Sequence, residues 1–217
     1  NKFSIADHTK ILLFTRNGNE FDPFNKIEIS LPNYELSHLS SYVLYYLSGN
    51  TEVFSKWEQK NSKEMNDIFV CIHGERDQCC GKYGLNIFNE FSKQIELNNF
   101  NYRVWKSTHI GGHRYAPTFY EAPSMRWYGL FSAEDISSYL NRNSDNFKIQ
   151  NNYRGMSGLQ NKYAALVENE LFKKYSWKWL NASEKKYEII SVGENELTEV
   201  HFFFKLDKNT DLSKTSY

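Results

Sequence analysis

With 217 residues the chain can bury a hydrophobic core without disulfide staples, in one domain with closely packed extensions. Lys plus Arg and Asp plus Glu number 26 each, which removes the simplest electrostatic support for nucleic-acid or membrane-surface binding. No apolar run is long enough to span a bilayer, Asn1-Lys2-Phe3-Ser4 does not open a signal-peptide pattern, and 16 Phe, 15 Tyr and 5 Trp argue against a disordered chain.

In chain order, Lys10 to Phe14 reads as a strand, Lys26 to Leu31 as a second, and Glu35 to Leu47 as a helix whose Leu36, Leu39, Val43 and Leu47 form a core-facing stripe. A polar stretch from Gln59 to Asn66 reads as a loop. Asp67 to His73 has the β-branched, apolar character of a buried strand, which the turn residues from Gly74 onwards break. Leu85, Ile87, Phe88, Phe91 and Ile95 then recur at helical spacing after Gly81-Lys82-Tyr83-Gly84. A strand from Tyr102 to Thr108 leads into His109-Ile110-Gly111-Gly112-His113, a returning pair of strands through Met125 to Phe131, and a helix from Ala133 to Leu140. Tyr153 to Met156 reads as a turn, followed by a helix capped by Ser157 and strands at Tyr187 to Val192 and Glu199 to Lys205. The order strand, helix, strand, loop, strand pair, helix predicts an α/β (α+β) chain with a thioredoxin-like core at 67–140, flanked by 1–66 and 141–217.

The three cysteines do not make a disulfide framework: Cys79 and Cys80 are adjacent, and Cys71 precedes them among His, Gly, Arg and Asp. Thiols crowded with polar residues point to a metal loop in a reducing compartment, and the cytoplasm is the expected location. Downstream, His109 and His113 flank two glycines, which let backbone fold closely around a bulky group. Two thiolates and two imidazoles suit a tetrahedral zinc site, although Cys71 and Cys80 are further apart than in zinc fingers. They equally suit a cluster in which imidazole replaces two thiolates on one iron. From the residues alone zinc, an iron–sulfur cluster and no metal all remain open.

The run Cys71-Ile-His-Gly-Glu-Arg-Asp-Gln-Cys-Cys-Gly-Lys-Tyr-Gly84, followed by Trp105-Lys-Ser-Thr-His-Ile-Gly-Gly-His-Arg-Tyr-Ala-Pro117, Tyr128-Gly129 and Tyr153-Arg-Gly-Met-Ser-Gly158, resembles the sucrase/ferredoxin-like family of thioredoxin-fold ferredoxins. The resemblance implies a [2Fe–2S] cluster on Cys71, Cys80, His109 and His113. It makes Cys79 a nearby free thiol, and it leaves His73, Arg76, Asp77 and Arg114 as residues that orient the loops and ligands. Trp105 reads as a core residue, and His8, His38 and His201 as ordinary histidines.

Neutral imidazoles in place of thiolates imply a reduction potential above that of an all-cysteine ferredoxin, and one that varies with pH. The function implied is a ferredoxin-like redox protein that carries or senses single electrons, with a donor or acceptor protein as its partner and no role for nucleic acid or membrane. The alternatives are a cluster-dependent oxidoreductase with its own substrate, and a zinc-binding or metal-free thioredoxin-like interaction module. Dithiol chemistry has no Cys-x-x-Cys to carry it, and no paired carboxylates support glycoside cleavage.

Overall fold

The computed structural model describes residues 3, 5–16, 18–60, 64–74, 78–142, 147–192, 197–207 and 211–217. These fall into two compact units, 1–17 with 24–65 and 18–23 with 66–217.

In the first unit β1 (His8–Thr15) and β2 (Asn25–Pro32) pair antiparallel, His8 opposite Pro32 and Thr15 opposite Asn25. A 3-10 turn at Asn33–His38 runs into α1 (Leu39–Leu47), and a second follows at Thr51–Trp57. Leu39 and Val43 pack with Tyr42 and Tyr46 against buried Ile29, Leu31 and Phe54. Leu36 and Leu47, expected on the same stripe, are exposed. Leu36 lies in the 3-10 turn, where residues advance by a third of a turn and leave the face that α1 buries.

The second unit is built on a five-stranded sheet, in the order β4-β3-β5-β6-β7. Its strands are β3 (Asn66–Cys71), β4 (Tyr102–Ser107), β5 (Thr118–Ala122), β6 (Arg126–Gly129) and β7 (Tyr153–Met156). β3 and β4 run parallel, joined by α2 (Gln78–Asn98), and the other pairs are antiparallel. One parallel pair joined by a crossover helix, extended by an antiparallel strand pair, is the thioredoxin-like arrangement expected. α2 buries Ile87 and Phe91, with Phe88 and Ile95 packed beside them. Across the sheet's covered face Phe91, Phe119, Tyr128, Phe131 and Tyr139 meet largely edge to face, with Phe119–Tyr139 ring centroids 5.3 Å apart.

α3 (Asp135–Leu140) and α4 (Phe147–Asn152) follow the strand pair, and α4 has no counterpart in the sequence expectation. Tyr153 to Met156 is a strand, not a turn. β6 and β7 slip register between Trp127 and Tyr128, so Gly155 marks a bulge within pairing rather than a reversal of the chain. The helix after it, α5 (Lys162–Tyr175), is capped by Asn161 rather than Ser157, with Asn161 Oδ1 accepting from Tyr163 N at 2.9 Å and Ala164 N at 3.2 Å. Ser157 instead prolongs the strand, its amide donating to Met125 O at 2.9 Å. At Ser176 a positive φ of 53° ends α5 before α6 (Trp177–Asn181). β8 (Ser183–Val192), β9 (Leu197–Lys205) and the unanticipated β10 (Ser213–Ser216) form a separate antiparallel sheet.

Candidate metal centre

Parallel pairing of β3 with β4 places their carboxyl ends at one edge of the sheet. Cys71, the last residue of β3, lies opposite Ser107, and the Ile72 amide donates to Ser107 O at 3.1 Å as a final rung. His109 comes two residues after Ser107, so the register carries it to the end of the strand that bears Cys71.

The second thiol arrives from a different element. Gln78 to Gly84, rich in Gly and Cys and read as a loop, is the beginning of α2, so Cys79 and Cys80 stand in its first turn. Glycine is a poor helix former, and tertiary contact overrides that preference at two positions. A Cβ at Gly84 would lie 1.9 Å from the Cys71 carbonyl oxygen, and one at Gly81 would lie 2.7 Å from the Gly74 Cα. Helix backbone therefore presses directly on the end of β3. Cys80 is delivered to the inner side of that contact, fully buried like Cys71, while Cys79 is exposed. The amino end of α2 carries partial positive charge, a favourable field for thiolate ligands.

The ligand atoms of Cys71, Cys80 and His109 all lie within 4.8 Å of one another. His109 Nδ1 is buried and has no hydrogen-bond partner among the described residues. Gly111 and Gly112, at φ 90° and 73°, occupy the left-handed region that side chains disfavour, and they turn the chain from His109 into the short 3-10 segment His113–Tyr115.

The remaining sequence candidates are distributed around this point. His113 stands exposed at the head of that 3-10 segment and is outside the 4.8 Å group. His73 is half-buried, with its ring centroid 6.2 Å from that of His109. Arg114 is exposed, and Arg76 and Asp77 lie outside the described residues. Trp105 is half-buried rather than a core residue; its Nε1 donates to Asp67 Oδ1 at 2.7 Å and its ring stacks on Phe69. Sequence reasoning missed the part played by Gly81 and Gly84, although two glycines three apart ahead of an apolar helical run were a usable signal of close packing.

A family model described as sucrase/ferredoxin-like matches residues 4–155. The chain belongs to the sucrase/ferredoxin-like family. Two relatives, both named altered inheritance of mitochondria protein 32, come from Meyerozyma guilliermondii (27% identical, over 56% of this chain and 52% of the relative) and Debaryomyces hansenii (32% identical, over 38% and 32%). The chain therefore spans about half or less of the curated relatives it matches. Among solved structures, a thioredoxin-like [2Fe–2S] ferredoxin from Aquifex aeolicus aligns at 18% identity over 38% of this chain and 82% of that one, with a TM-score of 0.33.

Family membership makes an iron–sulfur group the one to test against the donor set. Two buried thiols and an imidazole with a buried, unpartnered nitrogen converge from a strand end, a helix start and a loop. Buried polar atoms in native proteins are nearly always satisfied, so a buried nitrogen without a partner among the described residues, on an imidazole beside two thiols, fits a metal-bound group. Among the described residues no helix is long and apolar enough to cross a membrane.

Proposed function

We propose that the chain is a [2Fe–2S] ferredoxin-like redox protein, its cluster held by Cys71, Cys80, His109 and His113. The observation that carries the reading is the convergence of two buried cysteines and His109 from three separate elements. When bound, such a cluster accepts and returns single electrons. Cys71 and Cys80 supply thiolates from positions sealed against solvent by the α2–β3 contact. His109 supplies one imidazole, and His113, four residues along the same glycine-rich turn, is assigned the fourth position. His73, whose ring centroid lies 6.2 Å from that of His109, is assigned to orient the loop. Three free cysteines suit a reducing compartment, and we assign the chain to the cytoplasm.

Aerobic purification with metal and sulfide analysis, followed by electron paramagnetic resonance of the reduced protein, tests the reading. A red-brown protein with two irons and two sulfides per chain, whose spectrum changes in His109→Cys and in His113→Cys, is expected. A colourless protein with stoichiometric zinc would establish the structural-metal alternative instead. A coloured protein whose spectrum is unchanged in His113→Cys would remove His113 from the ligand set.

A further inference from the structure

Three segments frame the edge that gathers Cys71, Cys80 and His109, and none carries an acid: Gln78 to Asn89, Tyr102 to Thr118 and Tyr153 to Gly158 contain neither Asp nor Glu. The chain as a whole has acids and bases in equal number, so this is a local imbalance. Arg103, at the far end of β4, is spent on buried Asp67. Four other cations remain. Lys82 stands in α2 two residues after Cys80, Lys106 in β4 three residues before His109, and Arg114 directly after His113, and all three are exposed. Arg154 is half-buried on β7. Its guanidinium lies over the Tyr115 ring, 4.5 Å from the centroid, and the Tyr115 amide donates to Gly112 O at 2.8 Å, which ties this cation to the histidine loop.

None of these four forms an ion pair among the described residues, whereas other surface lysines of the same unit do: Lys93 with Glu90, Lys173 with Glu170 at 2.6 Å and Lys205 with Glu184 at 2.7 Å. Glu75, Arg76 and Asp77, outside the described residues, add one net negative charge between Cys71 and Gln78, less than the four cations outweigh. Two exposed aromatics stand among the cations, Tyr83 at 47% and Tyr115 at 45% exposure, with Lys82 Nζ 5.4 Å from the Tyr83 ring centroid. Cations gathered without counter-charges repel one another, and they steer an oppositely charged partner towards the surface that bears them. Tyr and Arg are residues that protein interfaces favour.

We propose that this edge is the docking face for a protein whose own contact face is acidic, with Lys82, Lys106, Arg114 and Arg154 opposing its carboxylates and Tyr83 and Tyr115 adding contact area. That partner is the electron donor or acceptor of the redox reading, on which this assignment rests. A nucleic acid calls for a stripe of cations on a basic chain, and this chain has no net charge. A small charged face suits a brief encounter, in which electrostatics governs the rate of arrival and the choice of partner.

Stopped-flow oxidation of the reduced full chain by two haem proteins tests it: cytochrome b5, whose haem edge is anionic, and cytochrome c, whose haem edge is cationic. In each reaction one electron passes from the chain to the ferric haem iron, which becomes ferrous. Raising NaCl from about 10 to about 200 mM slows the reaction with cytochrome b5 by about tenfold and speeds that with cytochrome c. The double variant Lys82→Glu with Lys106→Glu, its visible spectrum and circular dichroism unchanged, loses the slowing with cytochrome b5. Lys178→Glu keeps it, because α6 shares a cavity wall with Asn66 at the other end of β3. A flat salt dependence with both cytochromes, or an equal loss in Lys178→Glu, overturns the docking face and leaves the redox reading standing. Calorimetry with ferric cytochrome b5 needs no electron transfer, so a colourless chain that binds it, and ceases to in the double variant, refutes the redox reading and keeps the acidic partner. Tighter binding, at about 0.1 M NaCl, of vesicles with about 30% phosphatidylserine or of a thymidylate strand of about 20 nucleotides assigns the face to lipid or nucleic acid and overturns the proposal.

Discussion

At its amino end β3 holds Asp67 in a closed set of bonds, with Arg103 Nε at 2.8 Å and Nη2 at 3.1 Å on its two oxygens and Trp105 Nε1 at 2.7 Å. At its carboxyl end, Cys71 faces Cys80 and His109, and the ring nitrogen Nδ1 of His109 is buried with no partner among the described residues. Both ends are buried and both are rich in polar atoms. The first spends them on protein partners and so fixes the pairing of β3 with β4; the second gathers two thiols and an imidazole within 4.8 Å of one another, where a bound group would satisfy them. One strand thus serves as anchor at one end and as binding edge at the other.

The most severe way to break this contrast is Cys80→Ser, expected to abolish visible absorption and bound iron altogether while urea unfolding still shows a cooperative transition. If absorption survives, the carboxyl end is not the binding edge. Next in size is Asp67→Ala, which strands the Arg103 guanidinium in the sheet. Removing one partner of a buried pair costs about 3–5 kcal/mol, read as a lower urea midpoint, whereas iron per folded molecule should not change. Loss of iron in proportion to stability would show the two ends to be one device.

Lys185 sharpens the comparison from a third position, because its amine is buried with a carbonyl, Leu180 O at 3.0 Å, as its hydrogen-bond acceptor. Desolvation, and then the nearby Arg126 cation, lower its pKa from 10.5 to about 8. Below about pH 8 the amine is charged in both folded and unfolded chains and the full penalty applies. Between about 8 and 10.5 the unfolded chain binds more protons, so this group's contribution makes stability rise with pH. Lys185→Met should therefore stabilise the protein at neutral pH, on the order of 2 kcal/mol, with the gap to the parent closing towards the alkaline limit. A gap independent of pH would mean that packing, not charge, is responsible. The smallest effect is expected for Cys79→Ser, exposed one residue from the site: unchanged absorption, iron content and melting temperature.

The thioredoxin-like core was legible because its strands are written plainly. Val70 and Ile68 in β3, and Val104 and Trp105 in β4, are residues that strands favour, and the register that brings Cys71 level with Ser107 follows once the two pair. The start of α2 was not legible, since Cys79 to Gly84 reads locally as turn and becomes helical only through contact with β3. Gly155 misled in the opposite direction, its turn character belonging to a bulge. The motif named the metal candidates, but the burial that separates Cys80 from Cys79 depends on which way a helix faces.

Gly84 has a consequence for how this chain tolerates change. Its missing side chain is the space that the Cys71 carbonyl fills, so in a saturation scan scored by bound iron, position 84 would accept one letter, while the exposed Tyr83 beside it would accept many. The strictest veto over the metal edge then belongs to a residue that offers no side-chain atom to any ligand.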